Sequence, residues 1–300
     1  MSYTYSKLRS FALLATLFLV GCAVGPVQKP SSDLESPTQI ISKKPPKIGL
    51  VLGGGAARGF AHIGVIQVLE EAGIRPNLVV GTSAGSLVAA LYASGKNGLQ
   101  LQKVAESMEE ASFADWTLPI FSRGMLRGEA LARYVSIQVN GQPIESMPMA
   151  LGIVATDLNN GQGVLFQRGD TATAVRASSA VPALFQPVKI AGRDYVDGGL
   201  VSPVPVRFAR QMGADVIIAV DISSAPEANA ASDTLQVLMQ TFSIMIKSIN
   251  TFELREADVV VRPALLSVGS SDFGARRRSI EAGRAAMLAL LPQLHGAINK

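Results

Sequence analysis

The sequence predicts an α/β protein, a three-layer α/β/α sandwich with a mostly parallel central sheet. Two observations carry this. Short apolar runs recur at residues 47–52, 78–80, 151–156, 164–167, 216–221 and 258–262, several without polar alternation, as in parallel strands covered on both faces. Segments of helical spacing lie between them, and strand–helix alternation builds a layered α/β domain. No internal repeat and no linker to a second domain interrupts residues 47–300, a length that holds one domain with a substantial core.

The first run leads into Gly53-Gly54-Gly55-Ala56-Ala57-Arg58-Gly59, after which Ile63, Ile66 and Leu69 share one helix face. Glycines at a strand–helix junction let successive backbone N–H groups converge on an anion without side-chain obstruction. Beside an activated serine such a loop is a natural oxyanion hole; by itself it is also a plain tight turn. A P-loop needs Lys and Ser/Thr after the last glycine, where Phe60-Ala61 stand. A dinucleotide site needs an acidic residue after the next strand, which ends instead in Gly81-Thr82-Ser83.

That second strand, Leu78-Val79-Val80, runs through Gly81-Thr82-Ser83-Ala84-Gly85 into the helix-forming residues 86–91. Strand, G-x-S-x-G turn and helix are the context of a nucleophile elbow. The turn cramps the serine backbone, so Gly81 and Gly85 suit the flanking positions, and the Ser83 hydroxyl would sit at a helix N-terminus that favours a nearby anion. The competing reading is a glycine-rich turn whose serine caps the helix.

Residues 112–149 are less regular and are expected to cap the functional edge of the sheet. Phe113, Trp116, Leu118, Ile120 and Phe121 would form an interfacial loop there or pack inside. Farther on, the short strand Asp194-Tyr195-Val196 ends in Asp197-Gly198-Gly199. A carboxylate held against the Ser83 hydroxyl can accept its proton without an imidazole relay, although Asp-Gly also simply makes turns. Imidazole is scarce: the chain holds only His62, read as a packed residue in the first helical turn after the glycine loop, and His295, close to a chain end where fraying is common. Leu235, Leu238, Phe242, Met245, Ile249 and Phe252 repeat at three- and four-residue steps and form one helical stripe, and Val237, Met239, Ile244 and Ile246 add a second apolar flank. A helix covered on one side does not need both. It is expected to be deeply buried, with a lid, a dimer face or membrane contact as the other readings.

Residues 1–21 read as a secretory signal, with Lys7 and Arg9 before the apolar run 11–20, too short to span a bilayer, which takes about 20 residues. The segment ends Leu19-Val20-Gly21-Cys22, which resembles a bacterial lipobox, and Cys22 is the only cysteine. Disulfides within the chain are therefore excluded, and Cys22 is the expected site of lipidation. Ala23 in place of aspartate favours, by the same resemblance, the outer membrane, facing the periplasm. Residues 22–46, rich in Pro, Ser, Gln and Lys, read as a flexible tether. The net charge of +4 falls to +2 without Lys7 and Arg9, which gives no support for nucleic-acid binding, and Arg276-Arg277-Arg278 reads as a solvated surface run.

The three motifs in this order, G-G-G-x-x-R-G, G-T-S-A-G and D-G-G, resemble those of the patatin-like phospholipases. Residues 177–185, Ala-Ser-Ser-Ala-Val-Pro-Ala-Leu-Phe, are similar to the family segment before its aspartate, and Ala155-Thr156-Asp157-Leu158 to a recurrent strand-end block. The resemblance covers about residues 47–263. It implies a three-layer α/β/α lipid acyl hydrolase with a Ser-Asp dyad and no metal or other cofactor. Ser83 would be the nucleophile, Asp197 the general base, and the amides of Gly54, Gly55 and Ala56 the oxyanion hole. Gly53, Arg58, Gly59, Gly81, Gly85, Gly198 and Gly199 complete the motifs, with Arg58 at the basic position. Spacing in the first motif differs slightly from many members. The expected partners are a lipid substrate, phospholipid or lysophospholipid, and the membrane reached through the lipidated N-terminus. Two alternatives are a non-catalytic lipoprotein that binds an anion in the glycine loop, and a Ser-His-Asp esterase of α/β-hydrolase type with His295 last in chain order.

Overall fold

The computed structural model describes residues 44–108, 115, 123–223, 233–269 and 271–300. The signal segment, Cys22 and the tether up to residue 43 lie outside the described residues, as do Phe113, Trp116, Leu118, Ile120 and Phe121. In chain order the regular elements are β1 (Ile48–Leu52), α1 (Phe60–Glu71), β2 (Leu78–Thr82), α2 (Ala84–Ala93), α3 (Gly98–Glu106), β3 (Gly124–Leu126), α4 (Glu129–Gln138) and β4 (Ala150–Asp157). They continue as β5 (Gly163–Phe166), α5 (Thr171–Ser178), β6 (Ala183–Phe185), β7 (Val188–Ile190), β8 (Arg193–Asp197), α6 (Val206–Gln211), β9 (Val216–Val220), α7 (Thr234–Glu253), β10 (Val259–Val261) and α8 (Arg276–Ile298).

The main sheet runs in the order β10-β9-β1-β2-β4-β8-β7, with β5 also paired to β4. The first five of these strands are mutually parallel, while β5 and β8 run antiparallel to β4 and β7 antiparallel to β8. Each of the six apolar runs in the sequence forms a strand. Alternate residues of these strands enter opposite cores, as the two-residue period of a strand requires. Leu50, Leu52, Val79, Ile218 and Val220 pack with α1, α2, α5 and α8, whereas Val51, Val80, Ile217 and Ala219 pack with Val206, Phe208 and Ala209 of α6. The sandwich is unequal, with most of the helical mass on one face. Residues 44–300 form one compact unit.

Helix α1 is buried through Phe60–Leu69 and not on one face alone, because it lies between the sheet and α8. A side chain at Gly64 would collide with the Ile280 carbonyl, and one at Gly283 with the Ala61 carbonyl, so two glycines set the close crossing of α1 and α8. Helix α7 corrects the sequence reading. Only Asn250 and Glu253, near its C-terminal end, are buried, while Val237, Leu238, Ile244, Met245 and Phe252 are exposed. The outward face draws on both stripes, Leu238, Met245 and Phe252 from the first and Val237 and Ile244 from the second, while Leu235, Met239, Phe242, Ile246 and Ile249 are half-buried.

Candidate active site

The site is built by two strands that meet end to end on one edge of β4. Thr82, the last residue of β2, pairs with Val154, and Asp197, the last residue of β8, pairs with the adjacent Ala155. Strand β5 holds the other edge at both positions. The C-terminal ends of a parallel and an antiparallel strand therefore converge, and Ser83 and Asp197 are brought together across 114 positions of sequence.

Ser83 has φ 53° and ψ −125°, a left-handed conformation that a non-glycine residue adopts only where its surroundings impose it. The surroundings do so here. A β-carbon on Gly81 would overlap the Gly85 carbonyl, and one on Gly85 would overlap the Leu52 carbonyl at the end of β1. The elbow is thus pressed between two strand ends, and α2 starts at Ala84 with its positive end at the serine. The Ser83 carbonyl accepts bonds from the N–H and hydroxyl of Ser86 at 2.8 and 2.6 Å, which closes the turn.

The glycine loop lies against this elbow: a β-carbon on Gly54 would stand 3.2 Å from the Ser83 β-carbon. Its amides are not equivalent. The Gly53 N–H donates to Val220 O at 3.1 Å and the Gly54 N–H to Pro203 O at 2.9 Å. Gly54 is therefore removed from the expected oxyanion donors, because its N–H is turned into the fold to join the loop to the segment after Asp197. The N–H groups of Gly55 and Ala56 make no hydrogen bond among the described residues. Ala56, at φ 50°, starts the single 3-10 turn Ala56–Gly59 in which Arg58 is buried, and Gly59 leads into α1. A β-carbon on Gly55 would lie 2.7 Å from Ile222 Cδ1 and 2.8 Å from its carbonyl oxygen. Gly55→Val should therefore push the loop off the site and lower kcat by ~10²–10³, the scale of losing one oxyanion donor, with circular dichroism close to wild type; unchanged turnover in a folded variant would put the oxyanion donors elsewhere.

Asp197 is buried, and burial raises its pKa to about 6 against smaller downward pulls from the Ser83 hydroxyl and the Gly199 N–H. Oδ1 accepts the Gly199 N–H at 2.7 Å. Oδ2 is buried and accepts no hydrogen bond of normal geometry; the nearby Ser83 hydroxyl is close enough to lower the proton affinity of the carboxylate without completing one. Catalytic hydrogen bonds commonly tighten only around bound substrate. Gly198 is required for a separate reason: a β-carbon there would strike the Val154 carbonyl of β4.

Neither histidine is hydrogen-bonded to Ser83 or Asp197 among the described residues. His62 is fully buried, and its ring Nε2, 2.8 Å from the Gly53 carbonyl, carries the proton of that bond. Burial lowers its pKa to about 4, outweighing the Gly53 bond and the charge of Asp221. It is a neutral strut for the glycine loop. His295 lies exposed near the end of α8, and no hydrogen bond joins it to Ser83 or Asp197 among the described residues. A Ser-His-Asp arrangement has no imidazole to use.

Several residues that brace the site carry roles the sequence did not announce. Ser178 Oγ accepts the Ser83 N–H at 2.9 Å and donates to Val154 O at 2.6 Å, and Ala180 O accepts the Asp197 N–H at 2.9 Å. One segment, singled out only as a family-like block, thus holds both residues. Thr156 Oγ1 donates to Asp197 O at 2.8 Å, and Asp157 pairs with Arg193 at 2.6 Å. Thr82 Oγ1 donates to Ser202 O at 2.8 Å, and Ser202 Oγ donates to the buried Glu253 at the end of α7, whose pKa burial raises. No cluster of three or more His, Cys, Asp or Glu fit to hold a metal occurs among the described residues.

A family model described as patatin-like phospholipase matches residues 50–210. The sequence is 35% identical over 204 residues to an uncharacterised NTE-family protein of Mycobacterium tuberculosis, covering 68% of this chain and 56% of that protein. It is 34% identical over 193 residues to patatin-like phospholipase domain-containing protein 6 of Mus musculus, covering 62% of this chain and 14% of the relative. The chain spans about half the length of the mycobacterial relatives it matches. Among solved structures VipD from Legionella pneumophila shares the fold, with a TM-score of 0.57 at 17% identity over 83% of this chain and 67% of its own. Fold and family match together define a domain of the α/β class with a patatin-like fold. The chain belongs to the patatin-like phospholipase family.

Proposed function

We propose that this protein is a serine acyl hydrolase that cleaves fatty-acyl esters of phospholipid or lysophospholipid at a membrane surface, with Ser83 as nucleophile and Asp197 as general base. The observation that carries this reading is the strained Ser83 beside a buried carboxylate of raised pKa. The Ser83 hydroxyl oxygen attacks the acyl carbonyl carbon while its proton passes to the Asp197 carboxylate. The N–H groups of Gly55 and Ala56 receive the oxyanion. Collapse of the tetrahedral adduct expels the lipid alcohol, which takes the proton from Asp197, and leaves an acyl-serine. Water deprotonated by Asp197 then attacks the acyl-serine, releasing a fatty acid and restoring the hydroxyl.

Incubation of the purified protein with mixed bacterial phospholipids, followed by mass analysis of the lipid extract, should show paired accumulation of free fatty acid and lysolipid. Absence of both, with an active soluble-ester assay, would exclude phospholipid as substrate. The pH profile follows from the sign of the Asp197 shift. A base works deprotonated, so kcat/KM should rise with pH through about 6 and level off above it. A profile whose acidic limb lies near 4 would mean that a carboxylate of ordinary pKa is the base.

We also propose anchoring through Cys22 to the outer membrane, facing the periplasm. The lipobox-like end of the signal at a solitary cysteine supports this. Cys22→Ser should abolish metabolic labelling with palmitate, and a wild type that takes up no palmitate would overturn the anchor.

A further inference from the structure

Helix α7 carries an apolar face that the fold leaves open. Val237, Leu238, Ile244, Met245 and Phe252 fall on one arc with Thr241 and Ser248, and no ionisable side chain stands among them. Phe252 is 66% exposed. The same helix touches the catalytic edge. The inward Ile246 Cδ1 comes within 3.9 Å of where a β-carbon on Gly199 would stand, two residues from Asp197, and Glu253 reaches the Ser202 that holds Thr82. An occupant of the outer face would therefore lie across one helix thickness, about 10 Å, from the segment that follows Asp197.

The surroundings favour lipid over protein as that occupant. Exposed Lys247 flanks the face, and the exposed Arg255 stands 5.2 Å over the Phe252 ring. The acids of the helix ends are set apart: Asp233 caps the first turn, Glu253 is buried, and Glu256 lies beyond the helix. A long helix with an uncharged apolar face and flanking cations is the pattern of an interfacial helix on an anionic bilayer. A stable protein interface engages about 20–30 residues a side, far more than this stripe offers. Leu266 adds a second, separate observation. It is 98% exposed in the turn after β10, and β10 is parallel to β9, β1 and β2, so this turn opens on the sheet edge that carries Ser83.

We infer that α7 docks the domain on an anionic lipid bilayer, its outer stripe entering the acyl boundary while Lys247 and Arg255 meet headgroup phosphates. The inference deepens the lipid-hydrolase reading and rests on it for its purpose, but the docking can be measured without turnover. In the full chain carrying Cys22→Ser, a single thiol introduced by Ile244→Cys is labelled with an environment-sensitive fluorophore, and a parallel sample carries the label at Leu288→Cys on α8. With phosphatidylglycerol vesicles the label at 244 should shift to the blue and be quenched by nitroxide-bearing lipid, and the label at 288 should do neither, even if the N-terminal segment tethers both samples. Phosphatidylcholine vesicles should give a weaker response. No shift at 244 on vesicle-bound protein, or equal shifts at both positions, would overturn the docking. A shift at 244 that tracks protein concentration without vesicles would assign the face to a second copy instead. In turnover, V237S/I244S/F252S should leave hydrolysis of a soluble short-chain ester unchanged and slow phosphatidylglycerol vesicles about tenfold or more; equal rates on vesicles would contradict the inference. If wild type hydrolyses no lipid, the substrate reading fails while the two fluorescence samples still decide the docking.

Discussion

Asp197→Asn is expected to lower kcat/KM by about 10⁴ or more while leaving a folded protein, because it keeps the shape of the side chain and removes the one group that, among the described residues, is placed to take the Ser83 proton. The Gly199 N–H that bonds Oδ1 keeps an acceptor. His295→Ala should be nearly silent. His62→Ala should cost a modest factor, since its ring supports the Gly53 carbonyl and exchanges no proton. In a triad, loss of the histidine would be as damaging as loss of the serine. An active Asp197→Asn enzyme beside an inactive histidine variant would overturn the dyad.

The same substitution should stabilise the fold. Asp197 holds its proton more tightly folded than unfolded, with a pKa raised from 3.8 to about 6. Between those values the folded state binds more protons, so stability falls as pH rises through the window. Above it the full cost of the buried charge is present, on the order of 2–3 kcal/mol. Asp197→Asn should therefore gain up to this amount at pH 7 and nothing below pH 3.8, as denaturant titration at the two pH values would show. A loss of stability at pH 7 would mean that the carboxylate is structural.

Gly85→Ala is the second change with a large expected effect. One methyl group would overlap the Leu52 carbonyl and approach Gly53 O to 2.7 Å, both of them backbone that cannot swing aside. Either β1 and the glycine loop move away from the elbow or the elbow opens. The expected result is loss of activity with destabilisation of roughly 4 kcal/mol or more, the range reserved for a clash in a close-packed interior. Gly296→Ala, where a β-carbon meets nothing within 4 Å, is the control and should change neither. Normal melting and turnover of Gly85→Ala would contradict the packed elbow.

Much of the fold was legible because its parallel strands are continuous Val, Ile and Leu runs, and a run such as Val216–Val220, buried at every position, has no polar alternation to hide it. The strands β3, β6 and β7 span three residues each, too few to show any period. Ser83 and Asp197 were visible through the glycines around them. Their meeting was implied by the family resemblance alone, because it depends on β8 taking up the edge of β4 where β2 stops, a long-range register that local spacing does not encode. Gly54 looked equivalent to Gly55 for a similar reason: only its contact with Pro203 turns the amide away. The apolar breadth of α7 was seen, but composition alone does not distinguish a helix buried on both sides from one that leaves an apolar face open, and the open face cuts across both stripes.

Labelling with a fluorophosphonate tests the central claim most directly, because only an activated serine reacts. Peptide mapping by mass spectrometry should place the adduct on Ser83 in wild type and in His295→Ala, and should find it lost or strongly reduced in a folded Asp197→Asn. An unlabelled Ser83 in wild type, or equal labelling after Asp197→Asn, would contradict the account.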